Sequence, residues 1–233
     1  LPLLQEEPAG ARAGIESVMR LVCISDTHNQ HDALQLPGGD VLIHAGDFTG
    51  MGRAQEVEAF AKWFGAQPHP HKIVVAGNHD WLFERDHTQA RALLARHCPG
   101  AHYLQDSGVS LEGVKFWGSP WTPLFLNWAF NLKRGLPLGN KWARVPSDTQ
   151  VLITHGPPHG ILDLTRHGKN VGCEELAAAL ENRLRPDVHV FGHIHEGYGT
   201  YTRNGTRFVN ASSCTAFYEA INAPLAVEVL RRD

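Results

Sequence analysis

Two histidines separated by one residue, His193 and His195, are the first candidates for chemistry in this sequence. They follow the apolar residues 188–191, which predict a short strand that stops at Gly192. Residues i and i+2 of an extended chain project to the same side, so both imidazoles can reach one small volume. Neutral imidazole is the commonest side-chain metal ligand, and Gly192 allows a tight turn beside a bound ion. The pair therefore indicates a metal site.

Four stretches upstream also place polar side chains directly after an apolar, strand-like run. Any one of these endings alone could be a helix cap, a turn or a packed core histidine, and the pair alone could lie on the surface of a chain with 15 histidines. Five such endings in one chain are hard to explain in that way. The candidate ligands are Asp26 and His28, Asp47, Asn78 and His79, His155, and His193 and His195.

The elements that must position these residues are predicted from hydrophobic periodicity and turn signals. The strands that carry the five endings cover residues 20–25, 40–45, 72–76, 150–154 and 187–191. Further strands cover 103–104, 109–111, 114–117, 198–203, 206–210 and 225–230, and helices cover 53–64, 88–96 and 173–184. In α/β sheets, ligands gather at the carboxyl ends of strands, so we expect the five endings to converge.

The stretch 119–146 is long, aromatic and without regular periodicity, and such a loop is usually functional or mobile. Its simplest interpretation is a satellite hydrophobic cluster, and a wall or lid over the site is the alternative. The aromatic residues concerned are Trp121, Phe125, Trp128, Phe130 and Trp142.

Composition limits the classes of function. The 233 residues suit one sizeable α/β domain, and a net charge of −3 argues against stable binding of nucleic acid. No apolar run approaches the ~20 residues of a membrane span, so no membrane association is expected. Four scattered cysteines without a C-x-x-C motif predict buried thiols in a reducing compartment, and hence a cytoplasmic protein.

The first 17 residues lack the basic start and long apolar core of a signal peptide, and their Pro, Gly and Glu content predicts a loose tail. We therefore expect residues 1–18 to be a flexible tail or an expression remnant. Residues 19–233 are expected to form a single domain, since no internal repeat or low-complexity tract divides them.

The candidate ligands are imidazoles, carboxylates and one amide oxygen, with no thiolate among them. This set suits divalent ions such as Mn, Fe, Co or Zn, and it is too rich for a single ion. Two ions about 4 Å apart that share a carboxylate would clamp a group undergoing in-line displacement at phosphorus. Two such ions with two aspartates and a bridging hydroxide leave a charge of about +1, which favours a phosphate substrate.

The series of motifs resembles the calcineurin-like metallophosphoesterase superfamily. The motifs are Asp26-x-His28, Gly46-Asp47, Gly77-Asn78-His79-Asp80, His155 and Gly192-His193-x-His195. The longer strings CISDTH, DVLIHAGDFT, GSPW, LITHGPP, VGCEEL, FGHIHEGYG and VNASSCT are similar to a narrower branch. That branch is the metallophosphoesterase-domain-containing proteins first noted in fetal brain, with their microbial relatives, and the likeness runs from about Arg20 to the C-terminus.

This resemblance implies an α/β fold in which a β-sandwich of mixed sheets is flanked by helices, in four layers (α/β/β/α). It also implies two divalent metal ions, with Mn²⁺ first and Fe, Co or Zn as alternatives. Asp47 would bridge the two ions. One ion would be held by Asp26, His28 and His195, and the other by Asn78, His155 and His193.

By the same resemblance, His79 would lie outside the metal ligands and would protonate the leaving oxygen or stabilise the transition state. Asp80 would orient the ring of His79. Some members of the branch lack the last histidine of the motif, whereas this sequence keeps His195, so a complete two-metal site is expected.

The implied function is a phosphodiesterase that hydrolyses cyclic nucleotides or related phosphodiesters by in-line attack of a metal-bridging hydroxide. The enzyme alternative is a phosphomonoesterase such as a protein phosphatase. The other alternative is a low-activity nucleotide-binding or scaffolding module with the same fold, against which the full ligand set counts. The residues alone do not separate the two ester classes.

Weaker candidates for substrate contacts lie outside these motifs. His159 could contact a phosphate or a base, or could be a solvent-facing loop residue. Asn127 and Trp128 could frame a nucleobase, although packing is the simpler interpretation. The basic segment 166–169 could hold an anionic substrate, but a solvated loop explains it as well.

Overall fold

The computed structural model describes residues 17–232, so most of the expected tail at 1–18 lies outside the described residues. The strands are β1 (Val18–Ile24), β2 (Val41–His44), β3 (His71–Val74), β4 (His102–Tyr103), β5 (Ser107–Leu111), β6 (Val114–Ser119), β7 (Thr122–Pro123), β8 (Asn131–Leu132), β9 (Val151–Thr154), β10 (Val188–Phe191), β11 (Gly199–Arg203), β12 (Thr206–Asn210) and β13 (Leu225–Leu230). The helices are α1 (Ala54–Ala66), α2 (Trp81–Arg85), α3 (His87–His97), α4 (Leu136–Trp142) and α5 (Glu174–Asn182), with short 3₁₀ helices at His31–Ala33 and His195–Gly197.

Two mixed β-sheets form the centre of the molecule. The first sheet has the strand order β13-β1-β2-β3-β4, and the second has the order β11-β12-β10-β9-β6-β5. In the first sheet β1 to β4 run parallel and β13 is antiparallel, while in the second sheet β6, β9, β10 and β12 run parallel between antiparallel edge strands. Strands β7 and β8 form a separate parallel pair.

The layers follow from the alternation of side chains along each strand. Leu21 and Cys23 of β1 point into a core that they share with residues of β9 and β10, so the two sheets pack face to face. Val22 and Ile24 point the other way, into a cluster with α1 and α3. Helices α4 and α5 pack against the second sheet from its other side. The four-layer α/β/β/α fold expected from the resemblance is therefore confirmed.

The strands that lead to the predicted ligands are buried on both faces. Every residue of β2, β9 and β10 is buried, and only the start of β1 is exposed. Strands covered on both sides are mainly apolar, with His44 and His189 as buried exceptions here, which explains why these segments stand out in the sequence without strict alternation.

The predicted satellite cluster at 119–146 is confirmed for part of that stretch only. Phe130 and Trp142 are buried, in cores that lie against different sheets. Phe125 is 63% exposed, and Trp128 is only partly buried. The stretch contains β7, β8 and α4, which are too short for their periodicity to be recognised.

Three further sequence features can be compared with the structure. Asn204 and Gly205, with φ of 50° and 82°, form the turn between β11 and β12 as the Asn-Gly pair predicts. All four cysteines are buried free thiols. Among residues 17–232, no helix combines the length and hydropathy needed to cross a bilayer.

Candidate metal centre

The five predicted strand endings converge at one edge of the two sheets. Strands β1, β2 and β3 of the first sheet are parallel and deliver three endings, and β9 and β10 of the second sheet deliver the other two. A parallel bridge between Ser25 and Ser212 joins the sheets at this edge. As a result, the Nε2 atoms of His28 and His195 lie 3.4 Å apart, although the two residues are 167 positions apart in sequence.

Three of these side chains form what we call the Asp26 cluster: Asp26, His28 and His195, whose potential ligand atoms all lie within 4.8 Å of one another. His195 Nε2 is 3.4 Å from Asp26 Oδ1 and 3.4 Å from His28 Nε2. His195 Nδ1 donates to the carbonyl oxygen of Thr215 at 2.8 Å. Because Nδ1 is held by this carbonyl group, Nε2 is the ring nitrogen that faces the cluster and offers a lone pair once the imidazole is neutral.

A second group, the His155 cluster, contains Asp47, His155 and His193, again with potential ligand atoms within 4.8 Å. His155 Nδ1 donates to the carbonyl oxygen of Ala45 at 3.0 Å, so its Nε2 is again the potential ligand atom. This Nε2 lies 3.3 Å from Asp47 Oδ2 and 2.9 Å from Asn78 Oδ1. Asn78 therefore belongs to the same side of the site.

Asp47 lies between the two clusters. Its Oδ2 is 3.3 Å from His155 Nε2 and 3.9 Å from His28 Nε2. Its Oδ1 accepts the backbone N–H of His79 at 2.8 Å, which fixes the carboxylate plane. One carboxylate thus reaches both groups of potential ligands, as a bridging ligand must.

The His193–His195 pair does not lie on an extended segment, and in this respect the sequence interpretation was wrong. Strand β10 ends at Phe191, His193 has a φ of 68°, and His195 begins a 3₁₀ helix. The two imidazoles reach one volume, as predicted, but they enter different clusters. The turn between them makes this division possible.

Four of the seven candidate ligands have a strained backbone. Asp26, His28, Asp47 and His193 have φ of 51°, 41°, 56° and 68°, in the left-handed region. This conformation costs a non-glycine residue roughly 1–2 kcal/mol, and it persists where surrounding contacts impose it, commonly at functional sites. Other residues of the chain share this conformation, so the strain agrees with the motifs at these four positions without singling them out.

Gly192 permits the closest backbone approach at the site. A Cβ atom at this position would overlap the Asp26 carboxylate and the Ser25 side chain. Without that atom, the backbone N–H of His193 donates to Asp26 Oδ2 at 2.9 Å. The Ser212 hydroxyl donates to the same oxygen at 2.9 Å, so the carboxylate is held on two sides.

Opposing charges set the protonation of the two clusters. Burial alone would lower the pKa of His155 and His195, but the carboxylates of Asp47 and Asp26 outweigh burial and raise each to about 9. Burial would likewise raise the pKa of both carboxyl groups, yet the facing histidines hold each well below its usual range. In each cluster a buried carboxylate thus faces a histidine and stabilises the protonated, positively charged form of its ring.

These residues fit divalent cations. The Nε2 atoms of His155 and His195 face acceptor atoms across 2.9 to 3.4 Å, a contact that requires either a proton on Nε2 or a cation between the two atoms. Burial lowers the pKa of His28 and His193 to about 4, so both are neutral and ready to bind a metal at pH 7. Nitrogen and oxygen donors without a thiolate suit Mn, Fe, Co or Zn.

His79 lies beside both clusters, with a ring nitrogen within 4.8 Å of the potential ligand atoms of His28 and Asp47. Its Nδ1 donates to the carbonyl oxygen of Gly50 at 2.7 Å, so Nε2 is the nitrogen left for chemistry. Its ring meets His28 edge-on at 4.7 Å and stacks on Trp128 at 4.3 Å. Three contacts therefore hold this ring against the cluster.

The expectation that Asp80 orients His79 was wrong. The Asp80 carboxylate instead accepts the backbone N–H groups of Asp47, Thr49 and Gly77 at 2.9, 3.0 and 2.7 Å, and the Thr49 hydroxyl at 2.7 Å. Burial and the charge of Asp47 raise the pKa of Asp80 to about 7. Asp80 ties together the loops after β2 and β3, and the backbone of Gly50 orients the imidazole instead.

A cavity of about 630 Å³ opens beside the clusters, and its walls include His28, Asp47, Asn78 and His79. Of the weaker candidates, Trp128 lines this cavity, as do His167 and Lys169 from the basic segment. Asn127 is exposed and is not part of the lining. His159 is also exposed, and it lines a separate cavity of about 240 Å³, so its predicted substrate contact is not supported.

Several residues that shape the site carried no signal in the sequence. The carbonyl groups of Ala45, Gly50 and Thr215 fix the three histidine tautomers, and backbone atoms are common to every residue type. Tyr218 meets His28 edge-on at 4.8 Å and lines the cavity. Arg134 also lines the cavity, and neither residue is part of any motif identified in the sequence.

The sequence of this chain is similar to a known protein family and to individual proteins of that family. The family model "Calcineurin-like phosphoesterase" matches residues 19–197. Metallophosphoesterase domain-containing protein 1 of Homo sapiens is 42% identical over 234 residues, which cover 90% of this chain and 71% of that protein. A UPF0046 protein of Caenorhabditis elegans is 39% identical over 224 residues, covering 92% of this chain and 76% of the relative.

A solved structure, TT1561 of Thermus thermophilus, has a similar fold, with a TM-score of 0.58 at 13% identity over 83% of this chain and 89% of that chain. This likeness concerns the fold alone. The family match extends over most of the chain, and the human relative shares 42% identity with it. The resemblance seen in the motifs is therefore confirmed, and the chain belongs to the calcineurin-like phosphoesterase family.

Proposed function

We propose that this protein is a phosphodiesterase that uses two divalent metal ions, with Mn²⁺ as the first choice, to hydrolyse cyclic nucleotides or related phosphodiesters. The observation that carries the proposal is the position of Asp47, whose Oδ2 faces histidine nitrogens of both clusters at 3.3 and 3.9 Å. A shared carboxylate between two groups of nitrogen and oxygen donors is the arrangement that a two-metal phosphoryl-transfer site requires.

The residues have separate roles in this proposal. One ion is held by Asp26, His28 and His195, the other by Asn78, His155 and His193, and Asp47 is shared. Ions bound there would lower the pKa of a water molecule and neutralise charge on the phosphate. The carbonyl groups of Ala45 and Thr215 keep the lone pairs of two ligands aimed at the metals.

His79 acts on the leaving group in this proposal. Its Nδ1 is fixed by the Gly50 carbonyl, so Nε2 is the atom that can pass a proton to the departing oxygen. Asp80 acts indirectly, since it holds the two loops that carry Asp47 and His79. We regard Asp80 as a positioning residue.

The shape of the cavity supports a small-molecule diester. About 630 Å³ exceeds the space that a phosphate group alone needs and is in the range of small-molecule sites. The net charge of −3 supports a small substrate over a nucleic-acid polymer. The four buried free thiols support a reducing location such as the cytoplasm.

The test compares bis(p-nitrophenyl) phosphate with p-nitrophenyl phosphate on protein stripped of metal and reloaded with Mn²⁺. We expect kcat/KM to be at least about ten-fold higher for the diester, and activity to require metal. A preference for the monoester would instead assign a phosphomonoesterase. Two bound ions without turnover of either ester would assign a binding module. His159→Ala serves as the control, because His159 is exposed and lies outside the site cavity.

A further inference from the structure

One wall of the site cavity is formed by exposed apolar side chains. Leu124, Phe125 and Leu126 line the cavity and are 49%, 63% and 75% exposed. They lie between β7 and β8, next to Trp128, which lines the cavity as well. Large apolar side chains that are grouped on a surface beside a site commonly mark a place where a ligand binds. We call Leu124, Phe125, Leu126 and Trp128 the apolar wall.

The wall is held in place by its backbone. The N–H of Leu124 donates to the carbonyl oxygen of Leu132 at 2.8 Å, and the N–H of Phe125 donates to Asn131 Oδ1 at 2.9 Å. Leu126 has a φ of 49°, in the left-handed region that is strongly disfavoured for a large apolar residue. The segment therefore presents these side chains to the cavity at a cost in conformational free energy.

The wall is also joined to the metal centre. The N–H of Ala129 donates to the carbonyl oxygen of Asn78 at 3.2 Å. The ring of Trp128 stacks on the imidazole of His79, with centroids 4.3 Å apart and planes inclined by 26°. A leaving alcohol that takes its proton from His79 would consequently lie next to Trp128, at the edge of the apolar wall.

The rest of the cavity has a different character. Arg134, Thr165, His167 and Lys169 line it, and all four are polar or charged. The guanidinium of Arg134 is ion-paired with Glu174, which fixes it at the edge of the cavity. Val171, Ile194 and Tyr218 also line the cavity, but the apolar wall next to His79 is where exposed apolar side chains are grouped. The two substituents of a bound phosphodiester thus meet unlike surroundings.

We propose that the site prefers phosphodiesters whose leaving alcohol carries an apolar group, alkyl or aryl, that packs on the apolar wall. This inference rests on the proposed function and selects, among the phosphodiesters named there, acyclic diesters with an apolar alcohol as the substrate class. Water adds its oxygen to phosphorus, and the bond from phosphorus to the oxygen of the apolar alcohol breaks. That oxygen takes its proton from His79, and His79 regains a proton from water. The second product is a phosphate monoester of the other alcohol.

The test uses methyl n-hexyl phosphate, in which the two alcohols are leaving groups of nearly equal chemical reactivity. Hydrolysis gives either hexanol and methyl phosphate or methanol and hexyl phosphate. Each methylene of the hexyl chain that is buried on the apolar wall favours the orientation in which hexanol leaves by about four-fold. Partial burial of the chain therefore predicts at least about a ten-fold excess of hexanol over methanol. The ratio compares two orientations of one substrate, so it does not depend on metal loading or enzyme concentration.

Replacing Phe125 and Leu126 together by serine should bring the ratio toward one. Both side chains are exposed, so the core is not disturbed. The matched control is Tyr201→Ser, an aromatic residue on β11 that is 49% exposed and outside the cavity, and it should keep the original ratio. A ratio near one in the parent protein, or a ratio that the double variant leaves unchanged, would overturn the proposal.

Binding gives a second readout without turnover. Metal-stripped protein should bind methyl n-hexyl phosphate at least about ten-fold more tightly than dimethyl phosphate, and the double variant should lose that difference. Equal affinities would refute the apolar wall as a binding surface. Diester hydrolysis with equal product amounts would refute this inference alone, whereas no hydrolysis of any diester would refute the proposed function on which it rests.

Discussion

The Asp26 cluster and the His155 cluster contain the same kinds of donor atom, but different parts of the molecule hold them. His155 is fully buried at the end of β9, and it donates to Ala45 at the end of β2, so two core strands fix its position. His195 lies in a 3₁₀ helix and donates to Thr215 in the segment between β12 and β13. One cluster is thus built on the core of the sheets and the other partly on connecting segments.

This difference predicts unequal metal sites. Core strands open only with the whole fold, whereas connecting segments fluctuate at lower free-energy cost. We therefore expect the ion at the His155 cluster to be held more tightly and the ion at the Asp26 cluster to exchange more readily. Asp26 and His28 are buried, so we expect His195, in its 3₁₀ helix, to be the member of this cluster that moves most readily.

Asp47→Asn should have the largest effect, because it removes the one charge that both clusters share. An amide supplies neither that charge nor two equivalent oxygens, so we expect turnover to fall to the level of metal-stripped protein, with lower metal occupancy at both sites. Metal analysis and assays on bis(p-nitrophenyl) phosphate measure this, with the exposed Asp32→Asn as control. Two tightly bound ions with activity retained would contradict the site assignment.

His79→Ala should separate chemistry from metal binding. We expect metal content close to that of the parent protein and a kcat lower by ~10²–10⁴-fold, because the leaving oxygen loses its proton donor. The loss should be smaller for nitrophenyl than for alkyl leaving groups, which need protonation more. An equal loss for both would show that His79 serves binding or structure. A loss of one metal ion would make it a ligand, as its position near His28 and Asp47 permits.

His195→Gly should weaken one metal site selectively and so sharpen the comparison of the clusters. The Asp26 cluster would keep two of its side chains, while the His155 cluster stays intact. We expect the Mn²⁺ concentration for half-maximal activity to rise about 10–100-fold, with partial recovery at high Mn²⁺ by mass action. His159→Gly is the matched control. An unchanged midpoint would show that His195 is not a ligand.

Metal affinity should depend on pH. Taken per pH unit, this effect is expected to be smaller than the effects of the three substitutions above. At pH 7 the protons on His155 and His195, whose pKa values are raised to about 9, must leave before metals bind. Affinity at each cluster should therefore rise by up to about ten-fold per pH unit between pH 7 and 9. Calorimetry in buffers of different ionisation enthalpy counts the released protons. The His195→Gly protein should release one proton fewer than the parent protein when metal binds. If the parent protein released no protons, this protonation scheme would be refuted.

The sequence by itself determined the elements that carry the site and the kinds of ligand in it. Strands such as β2 and β9 are apolar at three of four positions because both faces are buried, so they are visible in a short window of sequence. The side chains that follow them, including Asp47 and His155, define the donor set without knowledge of any contact. Convergence followed from the rule that parallel strands end at one edge of a sheet.

Only the tertiary structure decided how these side chains are oriented and divided. The proton positions of His155 and His195 depend on the carbonyl groups of Ala45 and Thr215, and a carbonyl group is the same in every residue. The role of Asp80 differed from the prediction because its hydrogen-bond partners belong to loops up to 33 residues away. The sequence offered a wall over the site only as the alternative interpretation of residues 119–146, since exposure is a property of the whole packed molecule. Local patterns record burial and residue chemistry, whereas hydrogen-bond partners and cavity walls are set by long-range packing.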